Sequence, residues 1–140
     1  MMFSVLLLAA GAVSCPVLTT ATARGAIGEV QLKVTHSEKD SAYTCEFTGA
    51  EIELTIEVST LPSPGQFARF TDTVCQGGRD TVQLKAIGNE AVACSSGTAE
   101  KVVSRVRNQV FLLRLNSTGA AKPSRSTARD LAETVAGNLF

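Results

Sequence analysis

The chain has 140 residues, 44% of them hydrophobic, and its 13 basic and 13 acidic residues give a formal net charge of zero. This length fits one domain. The balanced charge, the 5% aromatic content and the absence of tryptophan argue against a nucleic-acid-binding surface, which needs a positive field and stacking side chains.

Residues 1–13 are apolar apart from Ser4, and they are too few for a membrane span, which takes about 20 residues. Their length and small-residue ending are typical of a signal peptide, although no basic residue precedes them. We therefore expect a signal peptide over residues 1–14 and one α+β domain over residues 15–140. The alternative is a buried N-terminal helix or strand.

Three positions for signal cleavage fit the sequence. Ala-Gly-Ala at residues 10–12 would leave Cys15 on the mature chain, whereas Ala-Thr-Ala at residues 21–23 would remove it. The third interpretation takes Ala-Val-Ser-Cys at residues 12–15 as a lipobox, in which the Cys15 thiol is acylated. Contact with a membrane is expected only through that lipid anchor.

The four cysteines, Cys15, Cys45, Cys75 and Cys94, fit an exported protein with two disulfides, in the periplasm, at the cell envelope or secreted. No Cys-x-x-Cys pair is present, and the wide spacing argues against a zinc or redox site. Four cysteines allow three connectivities, among which the sequence does not choose. Our prediction is Cys15–Cys45 with Cys75–Cys94, each closing a loop of about 20 to 30 residues and contributing about 3 kcal/mol.

The first predicted elements are a short helix, a strand and a hairpin. Residues 18–28 fit a helix ended by glycine, and residues 30–35 alternate as a half-buried strand does, before a polar loop at 36–41. Apolar residues alternate again on both sides of a Gly-Ala turn at residues 49–50, which pairs Phe47 with Ile52.

Helices are predicted before and after the second half of the sheet. Leu-Pro-Ser-Pro-Gly at residues 61–65 breaks the chain and starts a helix that runs to about Cys75. Strands follow at residues 81–86 and 91–95, and a final amphipathic helix begins near Thr127. With the second hairpin between them, the order is α-β-β-β-α-β-β-β-β-α.

The second hairpin covers residues 101–116. A turn at Asn-Gln, residues 108–109, pairs Val106 with Phe111 and places one mostly apolar row on a single face. We expect that a one-residue slip, pairing Val106 with Gln109, would mix the two faces.

Charged residues mark the outer face of this sheet. If the strands that carry them are neighbours, the opposite charges should pair across the sheet, at about a few tenths of a kcal/mol each. The residues are Glu51, Glu53 and Glu57 on one strand and Arg105, Arg107 and Arg114 on the second hairpin. A polar outer face with amphipathic helices elsewhere implies a two-layer α+β fold, with a mainly antiparallel sheet of about five to seven strands and the helices on one face.

Three apolar residues interrupt that polar face. Val103, Val110 and Leu112 lie beside Arg105 and Arg114, and we name these five residues the candidate patch. Covered by a loop or a second protomer, the apolar residues would be ordinary core; uncovered, they would form a partner-docking surface rimmed by positive charge.

No group of residues points to catalysis. A nucleophile–base pair usually needs a histidine, and the only histidine, His36, falls in the predicted polar loop among charged neighbours. One histidine with scattered carboxylates also makes a weak metal site. The sequence therefore predicts no catalytic, cofactor-binding or metal-binding residues.

Several short motifs together resemble a known group of proteins. They are Cys-Pro-Val-Leu-Thr at residues 15–19, Ala-Ile-Gly at 26–28, Cys45 on a strand, Ala-Ile-Gly-Asn-Glu-Ala at 86–91 and the final helix with Ala-Arg-Asp-Leu-Ala-Glu. The pattern resembles small bacterial exported domains, many of them lipoproteins, that carry Cys-x-Leu-Leu-Thr and Gly-Ile-Gly-Asp-Glu-Ala. Most have no assigned activity, and some resemble extracytoplasmic sensor domains of bacterial kinases.

This resemblance implies an α+β cell-envelope module and supports a disulfide at Cys15, but it transfers no catalytic residue. The chain departs from the pattern at Asn89, where aspartate is usual, and in carrying Cys75 and Cys94. We expect an exported, non-enzymatic module that binds an envelope protein or a small ligand without a cofactor. The alternative is a small secreted inhibitor or structural partner of another envelope protein, which should present a rigid loop at residues 61–65.

Overall fold

Alternating apolar residues build the centre of the fold as one antiparallel sheet. The computed structural model describes residues 13–140, so most of the predicted signal peptide lies outside the described residues. The strands pair in the order β1-β2-β3-β7-β6-β5-β4, with β1 and β4 at the two edges. In chain order the elements are α1 (Thr20–Ile27), β1 (Lys33–Lys39), β2 (Ala42–Thr48), β3 (Ile52–Thr60), α2 (Gln66–Val74), β4 (Arg79–Leu84), β5 (Glu90–Ser96), β6 (Ala99–Val106), β7 (Gln109–Ser117) and α3 (Arg125–Leu139). This is the predicted order.

Two helices, α1 and α3, cover one side of the sheet, which we call the inner face. The apolar stripe of α3, with Leu131 and Val135 at its centre, joins the main core. Asn138 ties the end of α3 to the segment before α1, since its Nδ2 donates to the Val17 carbonyl oxygen at 2.7 Å. The predicted α+β class with an antiparallel sheet is confirmed.

The remaining helix, α2, covers part of the opposite, outer face. Its Phe67 packs with Leu61, Val103 and Val110 in a second apolar cluster. Successive residues of a strand face opposite sides of a sheet, and Val102, next to Val103 in β6, belongs to the main core. The sheet is therefore covered by α1 and α3 on the inner face and, over the β6–β7 region, by α2 on the outer face. The expectation that the helices pack on one face holds for α1 and α3 but not for α2.

The turn of the second hairpin lies one residue earlier than predicted, because Arg107 opens it and Val106 pairs with Gln109. The expectation that this pairing would mix the faces is wrong. Moving a two-residue turn by one position changes the register by two, so the alternation is preserved and Val106 stays buried. Asn89 fixes the turn, since its Oδ1 accepts the Arg107 N–H at 2.6 Å where Arg107 has a φ of 59°.

The turn of the first hairpin is displaced too, by one residue toward the C-terminus. Phe47 pairs with Leu54 instead of Ile52, and the two residues remain on the buried face. The predicted register is again wrong by two residues while the predicted face is right.

A carboxylate from outside the hairpin occupies this turn. Glu29 Oε1 accepts the N–H of Glu51 at 3.0 Å and of Ile52 at 3.2 Å. The bond from the Glu51 N–H, the largest influence, lowers the pKa of the Glu29 carboxyl below its ordinary 4.5. A Cβ on Gly49 would lie 2.5 Å from the Glu29 Cδ, so the glycine leaves the space that this carboxylate needs.

His36 lies in a strand, and its assignment to a polar loop at residues 36–41 is wrong. In β1 it pairs with Cys45 of β2, because the alternation of the preceding residues continues through it. The loop is reduced to a tight turn in which Asp40 adopts a φ of 56°. The predicted strand at residues 30–35 is thereby lengthened at its C-terminal end.

Both predicted disulfides are present. Cys15–Cys45 fixes the segment before α1 to β2, and Cys75–Cys94 fixes the C-terminal end of α2 to β5. Two disulfides fit an oxidising compartment. The lipid predicted for Cys15 needs the same sulfur as a free thiol, so lipid and disulfide are exclusive, and the structure has the disulfide.

Candidate functional site

Two of the three apolar residues of the candidate patch are not on the surface. Val103 is 0% exposed and Val110 is 1% exposed, because Leu61 and Phe67 of the α2 region cover them. Leu112 is half-buried against the same cluster. The interpretation of these residues as an exposed docking surface is therefore wrong, and they are core beneath α2.

The arginines of the candidate patch are also placed differently. Arg105 Nε donates to Glu90 Oε2 of β5 at 2.7 Å, and its Nη1 donates to the Arg107 carbonyl oxygen at 2.9 Å. Since β7 separates β6 from β3, the glutamates of β3 do not face Arg105. Arg114 is exposed opposite Thr55. Within residues 13–140, none of the expected ion pairs between the glutamates of residues 51–57 and these arginines forms.

The position of α2 creates a groove beside it. The groove has a volume of about 640 Å³ and lies between α2 and the hairpin formed by β4 and β5. We call it the α2 groove, lined by Phe67, Ala68, Thr71 and Asp72 of α2 and by residues 81–92.

The hairpin wall of the α2 groove is held rigidly by β6. Gly88 packs so closely that a Cβ there would lie 2.6 Å from the Ser104 Oγ. That hydroxyl donates to the carbonyl oxygens of Ile87 at 3.3 Å and Glu90 at 3.0 Å. The Asn89 N–H donates to the Arg105 carbonyl oxygen at 2.8 Å. The Ala-Ile-Gly-Asn-Glu-Ala motif at residues 86–91 therefore forms a fixed wall of this groove.

The helix wall is held by a covalent bond. Cys75 caps α2 and is bonded to Cys94 of β5, and Lys101 Nζ donates to the Val74 carbonyl oxygen at 3.3 Å. Together with the buried Phe67, these contacts fix both ends of α2 on the sheet. Both walls of the α2 groove are thus preformed, as is usual for ligand sites.

The lining of the α2 groove mixes apolar and polar residues. Phe67 is buried at its base, whereas Val82 is 43% exposed although it is apolar. Asp72 lies on the helix wall and Lys85 on the hairpin wall; both are exposed, and neither forms an ion pair among the described residues. The α2 groove therefore offers both apolar surface and unpaired charges to a ligand.

One buried hydroxyl in this lining has no partner. Thr71 is 7% exposed, and its Oγ1 makes no hydrogen bond within the part of the chain that the structure describes. Buried polar groups in native proteins are nearly always bonded, and leaving one unbonded costs about 1–3 kcal/mol.

Comparisons with known proteins provide no relative for this arrangement. The chain matches no protein-family model, and neither curated protein sequences nor solved structures give a match. The role of the α2 groove is inferred from its own residues.

The only histidine lies at the other edge of the sheet from the α2 groove. His36 is on β1, with its Nε2 3.7 Å from Glu38 Oε1 and its ring 5.6 Å from the Tyr43 ring. Burial raises the pKa of Tyr43. In residues 13–140 no three metal-ligating side chains come together, and no helix is long and apolar enough to cross a membrane.

A second, smaller groove of about 380 Å³ lies on the other side of α2, beside residues 59–62. It adjoins the Leu-Pro-Ser-Pro-Gly loop at residues 61–65. Leu61 is buried and its N–H donates to the Asn108 carbonyl oxygen at 2.7 Å, while the following four residues are exposed. The loop is therefore anchored at one end and presented to solvent.

Sequence reasoning missed Thr71. The predicted apolar stripe of this helix includes Phe67, and Thr71 is four residues further along the same helix face. A threonine at such a position signals a hydroxyl directed toward the sheet. Its lack of a partner depends on distant segments and cannot be read from the local sequence.

Proposed function

We propose that the protein is an exported, non-enzymatic module of the cell envelope that binds an envelope protein or small ligand in the α2 groove. The observation that carries this proposal is the α2 groove itself, which has a volume of about 640 Å³, a helix wall fixed by the Cys75–Cys94 disulfide and a hairpin wall fixed by Ser104. Preformed grooves of this size are the usual form of ligand sites.

Three further features support the proposal. The walls are fixed before any ligand arrives, which lowers the entropic cost of binding. Val82 exposes apolar surface that a ligand would remove from water, at about 25 cal/mol per Å². The two disulfides fit export, and mass spectrometry of the unreduced, secreted chain should find a mature protein that starts at Cys15, carries no acyl group and has no free thiol.

The test is to fill the α2 groove. Ala68 is an exposed helix residue that lines it, so Ala68→Trp should block it without disturbing the core. The matched control is Thr134→Trp, at an exposed position of α3. A library of small-molecule fragments is added to the full, disulfide-bonded chain, and amide chemical shifts are recorded by NMR.

We expect fragments to shift the amides of α2 and of residues 81–92, and Ala68→Trp to abolish those shifts while Thr134→Trp retains them. Fragments that bind only elsewhere, or that bind the Ala68→Trp variant unchanged, would contradict the proposal. In that case the groove would be a surface feature without a ligand.

The second candidate function, a small secreted inhibitor or structural partner of another envelope protein, is supported by the anchored and exposed loop at residues 61–65. An inhibitor should lose its effect when Ser63 is replaced by a bulky residue, whereas a groove binder should not. Fragment binding by a Ser63→Trp variant separates the two candidates.

A further inference from the structure

The α2 groove borders a free edge of the sheet. Among residues 13–140, β4 is the last strand of the sheet and pairs only with β5. Five of its six residues are exposed, which leaves the backbone donors and acceptors of its outer side open to solvent. An extended polypeptide can satisfy such groups by adding itself as another strand.

We propose that the ligand of the α2 groove is an extended peptide segment of a partner protein, added to the edge of β4 with alternate side chains entering the groove. This inference rests on the proposed function. The hairpin wall of the groove supports it, because this wall includes residues 81–84 of the edge strand, the turn that follows and the start of β5.

The usable part of the edge is short and uncharged. A bulge between Arg79 and Val82 breaks the regular pairing, and Asp80 within it adopts a φ of 56°. Regular pairing resumes at Val82 and continues to Leu84. Natural edge strands are commonly protected by bulges and lysines, and this stretch has neither.

The opposite edge, β1, carries Lys33 and Lys39 at its two ends, and β4 is flanked in a similar way by Arg79 and Lys85. What distinguishes β4 is the α2 groove beside it, into which side chains of an added strand can enter.

The charges of the α2 groove define the chemistry of the segment. Asp72 and Lys85 lie on opposite walls and are free of ion pairs in residues 13–140, whereas Glu90 is paired with Arg105. A complementary segment carries a basic side chain for Asp72 and an acidic one for Lys85. Between them, apolar side chains would cover the exposed Val82.

The probe for this proposal is a phage-displayed library of random linear peptides, selected on the full, oxidised chain. Peptides that also bind the Ala68→Trp variant are discarded. Selected peptides should combine apolar residues with one basic and one acidic residue, and should shift the amides of β4 and α2.

Strand addition has a signature that side-chain binding lacks. Methylating the backbone nitrogen of successive peptide residues should weaken binding by about tenfold, or about 1.4 kcal/mol, at alternate positions only. Asp72→Lys and Lys85→Glu should each weaken binding, and the double variant should prefer peptides with the two charges exchanged. Lys33→Glu, on the other edge, is the matched control and should leave binding unchanged.

The outcomes separate this inference from the proposed function. Strand addition would be overturned by peptides that shift the amide signals of the groove but tolerate backbone methylation at every position. It would also be overturned if fragments bind the groove and no peptide is selected. Either result would leave the groove as the binding site. Binding that Ala68→Trp does not reduce, with peptides or with fragments, would overturn both.

Discussion

The two disulfides should contribute similar stability but different function. In the loop-entropy relation, the 19-residue separation of Cys75 and Cys94 corresponds to about 3.2 kcal/mol, and the 30-residue separation of Cys15 and Cys45 to about 3.6 kcal/mol. Replacing either pair by alanine should therefore lower the free energy of unfolding by nearly the same amount, measured by urea denaturation.

Their effects on the α2 groove should differ because only Cys75–Cys94 holds a groove wall. Without it, the C-terminal end of α2 is retained by the hydrogen bond from Lys101 to Val74 and by the packing of the half-buried Phe70 and Val74 on the second apolar cluster. Amide hydrogen exchange in α2 should then accelerate, and fragment binding should weaken. Removing Cys15–Cys45 should leave both nearly unchanged under conditions where the protein stays folded. Equal loss of fragment binding in the two variants would refute this account of the helix wall.

Three further perturbations test individual contacts of the fold. Glu29→Gln should make the stability of the fold less sensitive to acid. The pKa of the Glu29 carboxyl is lowered in the folded protein, so its stabilising contribution is present above pH 4.5 and is lost as the pH falls through the folded pKa. Urea denaturation of both proteins at neutral and acidic pH measures the difference. Ser104→Ala should cost about 1–3 kcal/mol, seen as a lower melting temperature, because the carbonyl oxygens of Ile87 and Glu90 lose their donor. Val110→Ala should cost about 2 kcal/mol or more if the residue is core, and a change below about 0.5 kcal/mol would restore the interpretation as an exposed patch.

The faces of the strands could be predicted from the sequence because a period of two depends only on neighbouring residues. The turn positions could not. Residue preference placed one turn at residues 108–109 and the other at residues 49–50, but distant side chains decide them. Asn89 accepts the Arg107 N–H, and Glu29 accepts two N–H groups of the other turn. Such contacts bring together segments about 20 residues apart, which a local pattern does not encode.

The candidate site was predicted only in its parts. The sequence predicts the amphipathic helix before Cys75 and singles out the motif at residues 86–91. It does not predict that the two face each other across a groove. In the sequence, Val103 and Val110 are apolar residues on an otherwise polar sheet face. The structure accounts for them because α2 covers them. Which face a helix covers depends on the path of the whole chain.

The most direct test of the α2 groove as a binding site is fragment binding by the Ala68→Trp variant, compared with the Thr134→Trp control. If the groove is the site, Ala68→Trp should lose the fragment-induced shifts of the amides of α2 and of residues 81–92, and Thr134→Trp should keep them. Unchanged fragment binding by Ala68→Trp would contradict the account.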